Sequence, residues 1–523
     1  MIKEAAYYAR MAWHYGRYVR LRPVDGYQAV LRENVARREE RFLELVKGSV
    51  FENSRTPYHD LMRLAGCTFE DLREMVGREG LEGALEQLRL AGVYMTHAEA
   101  KGAAVVRGGR EIANDRAATR NPSSQGGMET ISSGSRSAGM ATLTSNAFRR
   151  YRSQYERLFY DEFGLEGAAL ATLQWTLPAP AGLLYGAFWA STGKRVERWF
   201  TAGGSWRSGA HYRLATAALV WEGRLLGRWM PLPEYLPQND YSPVAVWIAE
   251  TKKGGRRAYL RSNASACTRV CAAARDLGLD IAGTLFMISG EAVTEGKRAL
   301  MESVGVRAYP RYVVSEVGTI GAGCAHLEGN SVHVYTDSVA VISYRRPAPF
   351  TDSTVNSLLL TSVNPLASRV YLNVEMDDCG DIGIADCGCL HSRLGYRTVI
   401  RDLYSFGKLS GHSTTLAGSD IVRILEERLP ARFGGAPGDY QMVEEQGETQ
   451  VEIKLRVSPG VKGADPKVVE SYFLDCIRGV YGGTASRRVW EHSGSISAII
   501  AEPHRTSTGK VLPLHLAGLG RKK

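Results

Sequence analysis

Apolar residues recur with a helical period at the start of the chain and with a shorter period further on. Tyr, Leu and Phe return at helical spacing across residues 1–50, and segment 59–93 continues this pattern. Between 170 and 320, apolar runs alternate with helical patterns, which is typical of α/β layering. From 330 to 400 the alternation has a period of two, as in VHVYTDSVAVISY (332–344), and it indicates a β-rich part.

Short apolar runs mark the elements of the middle part more closely. VAVWIA (244–249), TLFMIS (284–289) and RYVVSE (311–316) predict buried strands, and CTRVCAAARDLGL (267–279) predicts a crossover helix. Segment 167–193 is uncharged and long enough to span a bilayer, but proline and glycine interrupt it. We therefore expect a buried strand–loop–strand region there and no membrane span.

The last part of the chain predicts a compact α+β unit. VEIKLRV (451–457) alternates as a strand, and Asp465 followed by Pro466 starts a helix. The apolar face of that helix comprises Val468, Val469, Tyr472, Phe473 and Ile477. We predict a mixed α/β protein with a large layered body at 1–407, a β-rich subdomain within it at about 324–400, and a small C-terminal α+β domain at 411–523.

Charge and cysteine content narrow the class of function. The 523 residues carry a formal net charge of +10 and include 56 glycines, which indicates many tight turns. A long basic run with interleaved aromatics is missing, so the charge favours an anionic small molecule over nucleic acid. The N-terminal sequence has no apolar stretch of secretory type, and three of the eight cysteines crowd at 379, 387 and 389. We expect a cytoplasmic protein and a metal rather than disulfides.

Three motifs carry candidate chemistry, and each has an ordinary alternative. The Ser-Gly-Ser-rich segment 132–137 can cradle an anion with backbone N–H groups, or it can be a flexible linker. Glu316, at the end of a predicted strand, can hold Mg²⁺ or be a solvated carboxylate. Lys510, beside Gly509 in a polar stretch, can reach a phosphate or stay in solvent.

Taken together and in this order, the motifs resemble those of the adenylate-forming ligases, and within them the phenylacetate–CoA ligase branch. The resemblance covers roughly 45–515 and extends to RFGGAPGDYQMVEE (432–445). Arg136 and Ser137 depart from the family's usual Thr-Gly, and Val313 replaces a glycine. The resemblance implies a set of ATP- or AMP-binding residues: Ser132, Ser133, Gly134, Ser135, Arg136, Ser289, Gly290, Glu291, Tyr312, Ser315 and Asp378.

The resemblance also implies a reaction and the groups that perform it. ATP would adenylate a carboxylic acid, aryl or arylalkyl, with Lys510 and Mg²⁺-bound Glu316 as catalytic groups. The C-terminal domain would then swing as a lid about a hinge at Lys408, and the acyl group would pass to coenzyme A, which makes the chain an acid–thiol ligase. Asp381 is the rival of Asp378 for the ribose hydroxyls.

Other outcomes stay open at this stage. The acceptor can instead be a carrier-protein thiol or an amine, and the activated group can be another small oxyanion such as nitrite. A nucleotide-binding protein without catalysis is a further alternative, because the loop at 136–137 is altered. The expected partners are the acid and ATP, without nucleic acid or membrane, in a monomer or homodimer.

A fourth constellation predicts structural zinc. Cys324, His333, Cys387 and Cys389 supply three thiolates and one imidazole, enough for a closed tetrahedral site, and the resembled branch has a similar pattern. His326 and His391 are rival ligands, and Cys379 is a spare. Buried free cysteines are the alternative. Such a site would pin the β-rich subdomain.

Overall fold

The computed structural model describes most of the chain, in segments. The described residues are 2–21, 25–115, 117–122, 124, 127–131, 141–177, 179–201, 206–237, 240–347, 354–405, 418–446, 451–478, 496–506 and 509–517.

The first part of the described chain is helical, as its periodicity predicts. Its helices are α1 (Ile2–Val19), α2 (Tyr27–Ala36), α3 (Arg38–Val46), α4 (Pro57–Leu64), α5 (Phe69–Leu90) and α6 (His97–Ala100), with a π-helical turn at Lys47–Phe51. A capping box marks the start of helix α5. The Thr68 side chain accepts a hydrogen bond from the Asp71 backbone N–H, and the Asp71 carboxylate accepts one from the Thr68 backbone N–H.

Two short antiparallel hairpins follow the helices. They are β1 (Val105–Arg107) with β2 (Arg110–Ile112), and β3 (Met128–Ile131) with β4 (Ala141–Thr144). The second hairpin flanks segment 132–140, so the predicted residues Ser132, Ser133, Gly134, Ser135 and Arg136 lie outside the described residues.

A mixed sheet of twelve described strands forms the centre of the molecule. One half is parallel: β5 (Ala169–Leu173), β6 (Arg198–Thr201), β7 (Pro233–Tyr235), β8 (Ala258–Ser262), β9 (Leu285–Ser289) and β10 (Arg307–Val314). The other half is antiparallel: β11 (Gly318–Ala322), β12 (Val332–Val334), β13 (Val339–Pro347), β14 (Thr354–Ser362), β15 (Val374–Ile384) and β16 (Thr398–Ser405). The strand order is β13-β14-β15-β16-β12-β11-β10-β9-β8-β5-β6-β7.

Helices precede and connect the strands of the parallel half. They are α7 (Asn146–Glu162), α8 (Ala181–Ser191), α9 (Trp206–Leu225), α10 (Ser242–Lys253), α11 (Ala264–Asp276) and α12 (Glu295–Ser303), and α13 (Leu390–Arg393) follows in the antiparallel half. Helices α11 and α12 are crossovers between the neighbouring parallel strands β8, β9 and β10. The predicted mixed α/β class is confirmed.

Two strand predictions in this part are wrong. VAVWIA lies within α10, and the second half of 167–193 forms α8 instead of a strand. A short apolar run looks alike in a buried helix and a buried strand, and tertiary burial decides between them. Pro243, in the first turn of α10, was the local helix signal. None of the described helices is long and apolar enough to cross a membrane.

The C-terminal part has its own sheet and its own buried core. Its elements are α14 (Gly418–Arg423), a π-helical turn (Ile424–Arg428), α15 (Leu429–Phe433), β17 (Tyr440–Gln446), β18 (Val451–Val457), α16 (Pro466–Arg478), β19 (Ile496–Ile500) and β20 (Leu514–Ala517). The described strands pair in the order β19-β18-β17-β20. The predicted helix start is confirmed, since the Asp465 carboxylate accepts from the Lys467 N–H at 2.8 Å.

One residue of the predicted apolar face of α16 is misplaced. Val469, Phe473 and Ile477 are buried in the core of this part, whereas Val468 is 51% exposed. Adjacent residues on a helix point in different directions, so Val468 turns away from the sheet that Val469 packs against. The predicted boundary between 407 and 411 falls in segment 406–417 and, like the hinge residue Lys408, lies outside the described residues.

Candidate active site and metal centre

The candidate active site lies at the edge of the sheet where parallel strands end. Strand β9 ends at Ser289 and β10 ends at Val314, and Ser289 pairs with Arg311 across the two strands. Gly290 has φ of +81°, a conformation that glycine adopts at no steric cost. The predicted segments 289–291 and 312–316 are therefore brought together at one edge, which is where open α/β sheets bind ligands.

Tyr312 and Asp378 meet although they are 66 positions apart in the sequence. The Tyr312 hydroxyl donates to Asp378 Oδ2 at 2.6 Å. Burial, and then the neighbouring Asp378 carboxylate, raise the pKa of Tyr312 well above its usual value, so the phenol keeps its proton and acts as the donor. The rival Asp381 is exposed and accepts from Asn356 at 2.6 Å instead.

Glu316 and Ser315 follow β10 in the turn to β11. Glu316 is 7% exposed, whereas Ser315 is exposed to solvent. The turn is closed by the Val317 N–H, which donates to the Val314 carbonyl at 3.1 Å. A carboxylate held at this position is a hard oxygen ligand of the kind that Mg²⁺ binds.

Glu291 is held by the first turn of α11. Its Oε2 accepts from the Ser265 backbone N–H at 3.0 Å and from the Ser265 hydroxyl at 2.7 Å. The same hydroxyl lies 3.2 Å from the Val511 N–H, which donates to it. Ser265 therefore joins the segment after β9 to the residue that follows Lys510. Sequence reasoning missed Ser265, because a serine in the first turn of a crossover helix carries no motif.

Lys510 lies directly against Gly290. A Cβ placed on Gly290 would lie 3.1 Å from Lys510 Nζ and 3.2 Å from Cε, so only glycine leaves this space to the lysine. The lysine sits on a tight turn in which the Thr506 N–H donates to the Lys510 carbonyl at 2.9 Å. Gly509 has φ of +76° and packs against the Trp175 indole. The C-terminal part thus delivers an ammonium group to the sheet edge.

Buried polar contacts hold the C-terminal part in this position. Lys297 Nζ and Glu426 Oε1 are 3.0 Å apart, with side chains only 3% and 2% exposed. Thr294 also donates to Glu426. Burial opposes the charge of Lys297, but Glu426 and then Glu291 outweigh it and raise the pKa of that lysine. A second bridge joins Arg269 to Asp439 at 3.0 Å.

The predicted zinc ligands converge in the antiparallel half of the sheet. The ligand atoms of Cys324, His333, Cys387 and Cys389 all lie within 4.8 Å of one another. His333 Nε2 is 3.4 Å from each of the three sulfurs, and the sulfurs of Cys324 and Cys387 are 3.8 Å apart. A tetrahedral zinc site with ordinary bond lengths has edges of about 3.6–3.8 Å, so the four groups fit it.

The surroundings of the cluster also suit a metal. His333 Nδ1 lies 2.7 Å from the Tyr396 carbonyl, which orients the ring and leaves Nε2 toward the sulfurs. The rival His326 contributes only its backbone N–H, 3.4 Å from the Cys324 sulfur. His391 stacks on His333 and forms a second group with Cys389 and Glu162. Cys379 packs elsewhere, against Val355.

Comparison with known proteins gives weak likenesses only. No protein-family model and no curated protein matches the chain. A crystal structure of an anthranilate CoA ligase in complex with anthranoyl-AMP aligns at 10% identity and a TM-score of 0.40, over 73% of this chain and 65% of that one. The chain therefore spans slightly less than two thirds of that ligase.

Two further solved structures align in the same range. An O-succinylbenzoate coenzyme A synthetase from Bacillus subtilis, in complex with ATP and magnesium ion, gives 10% identity and a TM-score of 0.39 over 74% of this chain and 68% of that one. Apo MatB from Rhodopseudomonas palustris gives 12% identity and a TM-score of 0.36 over 92% and 91%. The family and the reaction are therefore proposed below from the residues at the sheet edge.

Proposed function

We propose that the chain is an adenylate-forming ligase of the phenylacetate–CoA ligase type. It activates a carboxylic acid with ATP, releases pyrophosphate and transfers the acyl group to coenzyme A. The observation that carries this proposal is the position of Lys510 against Gly290, at the edge where Tyr312 meets Asp378. These residues are distant in sequence and each is expected to serve the same reaction, and they converge at one edge of the sheet.

The residues at the edge suit the two ends of ATP. Asp378 faces the ribose hydroxyls as an acceptor, and the Tyr312 ring offers a flat surface to the adenine. Segment 132–137, which follows the hairpin strand β3, is the proposed cradle for the β- and γ-phosphates. The departures at Arg136 and Ser137 keep a cation and a hydroxyl there, both of which can bind phosphate.

The chemical step needs positive charge where the α-phosphate accepts the attacking carboxylate. Lys510 supplies an ammonium group at the edge, where it would stabilise the negative charge that develops on the phosphoryl oxygens. When bound by Glu316, Mg²⁺ supplies Lewis-acid stabilisation of the phosphoryl oxygens. The acyl carbon then accepts the thiol, and AMP leaves.

Transfer to a bulky thiol requires that the C-terminal part move away. Lys510 and the contact between Lys297 and Glu426 close the edge in this structure. We infer that a swing about Lys408 removes both and opens the site to coenzyme A or, as an alternative acceptor, to a carrier-protein thiol. Zinc at Cys324, His333, Cys387 and Cys389 is proposed as a structural ion that joins strands of the antiparallel half of the sheet.

Exchange of labelled pyrophosphate into ATP tests the proposal. We expect exchange that depends on an acid from a panel of aryl and arylalkyl acids, and thioester formation when coenzyme A is added. Lys510→Ala should lower exchange by about 100- to 1,000-fold or more, since a preorganised charge at the transition state is lost. Lys467→Ala, an exposed lysine of the same C-terminal part, is the matched control and should retain exchange. Wild-type exchange in Lys510→Ala would refute the assignment.

A further inference from the structure

A cluster of buried arginines lies behind the sheet edge, between α7 and the parallel strands. Arg261 Nη1 donates to Glu156 Oε2 at 2.7 Å, and Arg311 Nη1 donates to Glu156 Oε1. The side chains of Arg261 and Arg311 are 1% and 2% exposed, and that of Glu156 is fully buried. The Glu156 carboxylate therefore pairs with two guanidinium groups, and these three side chains together keep a net charge of one positive unit.

Arg152 adds a further positive charge, one turn before Glu156 on α7. Its Nη2 lies 3.4 Å from the Thr319 hydroxyl, and its guanidinium faces the rings of Phe148 and Phe188. Among the described residues, no carboxylate pairs with Arg152. The Nε atoms of Arg152 and Arg261 are both buried, and neither has a hydrogen-bond partner within the described part of the chain. Burial lowers the pKa of Arg152, because the charged guanidinium loses its hydration there.

The cluster adjoins the candidate active site without being part of it. Arg311 immediately precedes Tyr312, and a Cβ on Gly318, two residues after Glu316, would lie 3.2 Å from Arg152 Nε. Arg261 pairs with Met287, three residues before Gly290, where Lys510 lies. At roughly 3.3 Å per strand residue, Arg261 is therefore about 10 Å behind the reacting edge. The Tyr185 ring covers Arg261 at 3.6 Å.

We propose that the acid substrate carries a second carboxylate, remote from the one that reacts, and that Arg152 and Arg261 bind it. This inference rests on the proposed function. Guanidinium groups bind carboxylates through paired hydrogen bonds, and the two orphaned Nε–H groups are donors that such a ligand would satisfy. The rings of Tyr185, Phe148 and Phe188 lie against these two guanidinium groups, and such rings suit a flat or apolar spacer between the two carboxylates.

Calorimetric titration of the full chain tests this inference. The probes are matched monoacids and diacids: benzoate with terephthalate, phenylacetate with para-phenylenediacetate, and hexanoate with adipate. Inorganic pyrophosphate is added as a probe for nucleotide phosphates. We expect at least one diacid to bind about 10- to 100-fold more tightly than its monoacid, the range that a charged hydrogen bond provides. Arg152→Met should remove this preference and leave pyrophosphate binding unchanged.

Arg157→Met is the control, since Arg157 lies on the same helix and pairs with Asp161 at 2.9 Å, outside the cluster. It should retain the diacid preference. Equal affinity for every monoacid and diacid in the wild-type protein would overturn the inference, and this result does not depend on how the variants fold. If Arg152→Met lost pyrophosphate binding but kept the preference for diacids, Arg152 would bind the nucleotide phosphates instead. That result would also overturn the inference. Tight diacid binding without acid-dependent pyrophosphate exchange would sink the proposed function and leave the second anion site standing.

Discussion

The buried pair of Lys297 and Glu426 offers a test of how the C-terminal part takes part in the reaction. Glu426→Gln keeps the shape of the side chain but removes its charge. Lys297, only 3% exposed, would then remain buried without its ion-pair partner. Breaking one partner of a buried pair costs about 3–5 kcal/mol, and we take about 3 kcal/mol because glutamine still accepts a hydrogen bond.

That cost falls on the closed arrangement, because the pair joins α12 of the body to the π-helical turn of the C-terminal part. About 3 kcal/mol corresponds to roughly a 100-fold smaller closed population. If adenylation needs closure, acid-dependent pyrophosphate exchange should fall by about that factor. Thioester formation from a synthetic acyl adenylate, which needs the part to move away, should be retained.

The double variant Lys297→Met with Glu426→Leu is the control. Replacing a buried pair by apolar groups of similar volume is often neutral, so exchange should recover substantially. Equal losses in both half-reactions of Glu426→Gln, together with a lower melting temperature, would show that the pair stabilises the fold and does not govern closure. Unchanged exchange would refute the reasoning altogether.

The pH dependence of the same contact has a defined sign. The pKa of Lys297 is raised above its usual value of 10.5 in the folded chain. The raised pKa means that the fold stabilises the charged lysine. The contribution of this ion pair to stability is therefore complete below pH 10.5 and is lost as the pH rises through the pKa of Lys297 in the folded chain. The ratio of wild-type to Glu426→Gln exchange rates should therefore be constant from neutral to mildly alkaline pH and shrink only above that range.

Three further predictions concern single groups. Glu316→Gln should raise the Mg²⁺ concentration needed for exchange and lower the rate without unfolding the chain, as Mg²⁺ titration of both proteins measures; an unchanged titration would return Glu316 to a solvated role. Asp378→Asn should raise the KM for ATP by about 10-fold or more, whereas Asp381→Asn, which lies exposed beside Asn356, should not; the reverse result would exchange their roles. Elemental analysis should find about one zinc per chain, and Cys387→Ser should lower the melting temperature before it lowers the intrinsic rate; a metal-free chain of full stability would refute the site.

Local patterns in the sequence determined many of the elements. The period-two segments became β12 and β13, and Asp465 with Pro466 marked the start of α16. These signals are local, since side-chain direction repeats every two residues in a strand and a cap satisfies the N–H groups beside it. The four metal-ligand residues could also be predicted from the sequence, because few residue types bind zinc whatever the fold around them.

Only the tertiary structure decided which apolar runs are helices and which distant residues meet. VAVWIA became α10 because its surroundings bury it on several sides, a condition that the run itself does not encode. No local pattern places Lys510 on Gly290, links Ser265 to both Glu291 and Val511, or brings Arg261 and Arg311 to a single carboxylate. These contacts join residues remote in sequence, and they depend on strand order and on the packing of the C-terminal part against the large sheet, which the chain specifies only as a whole.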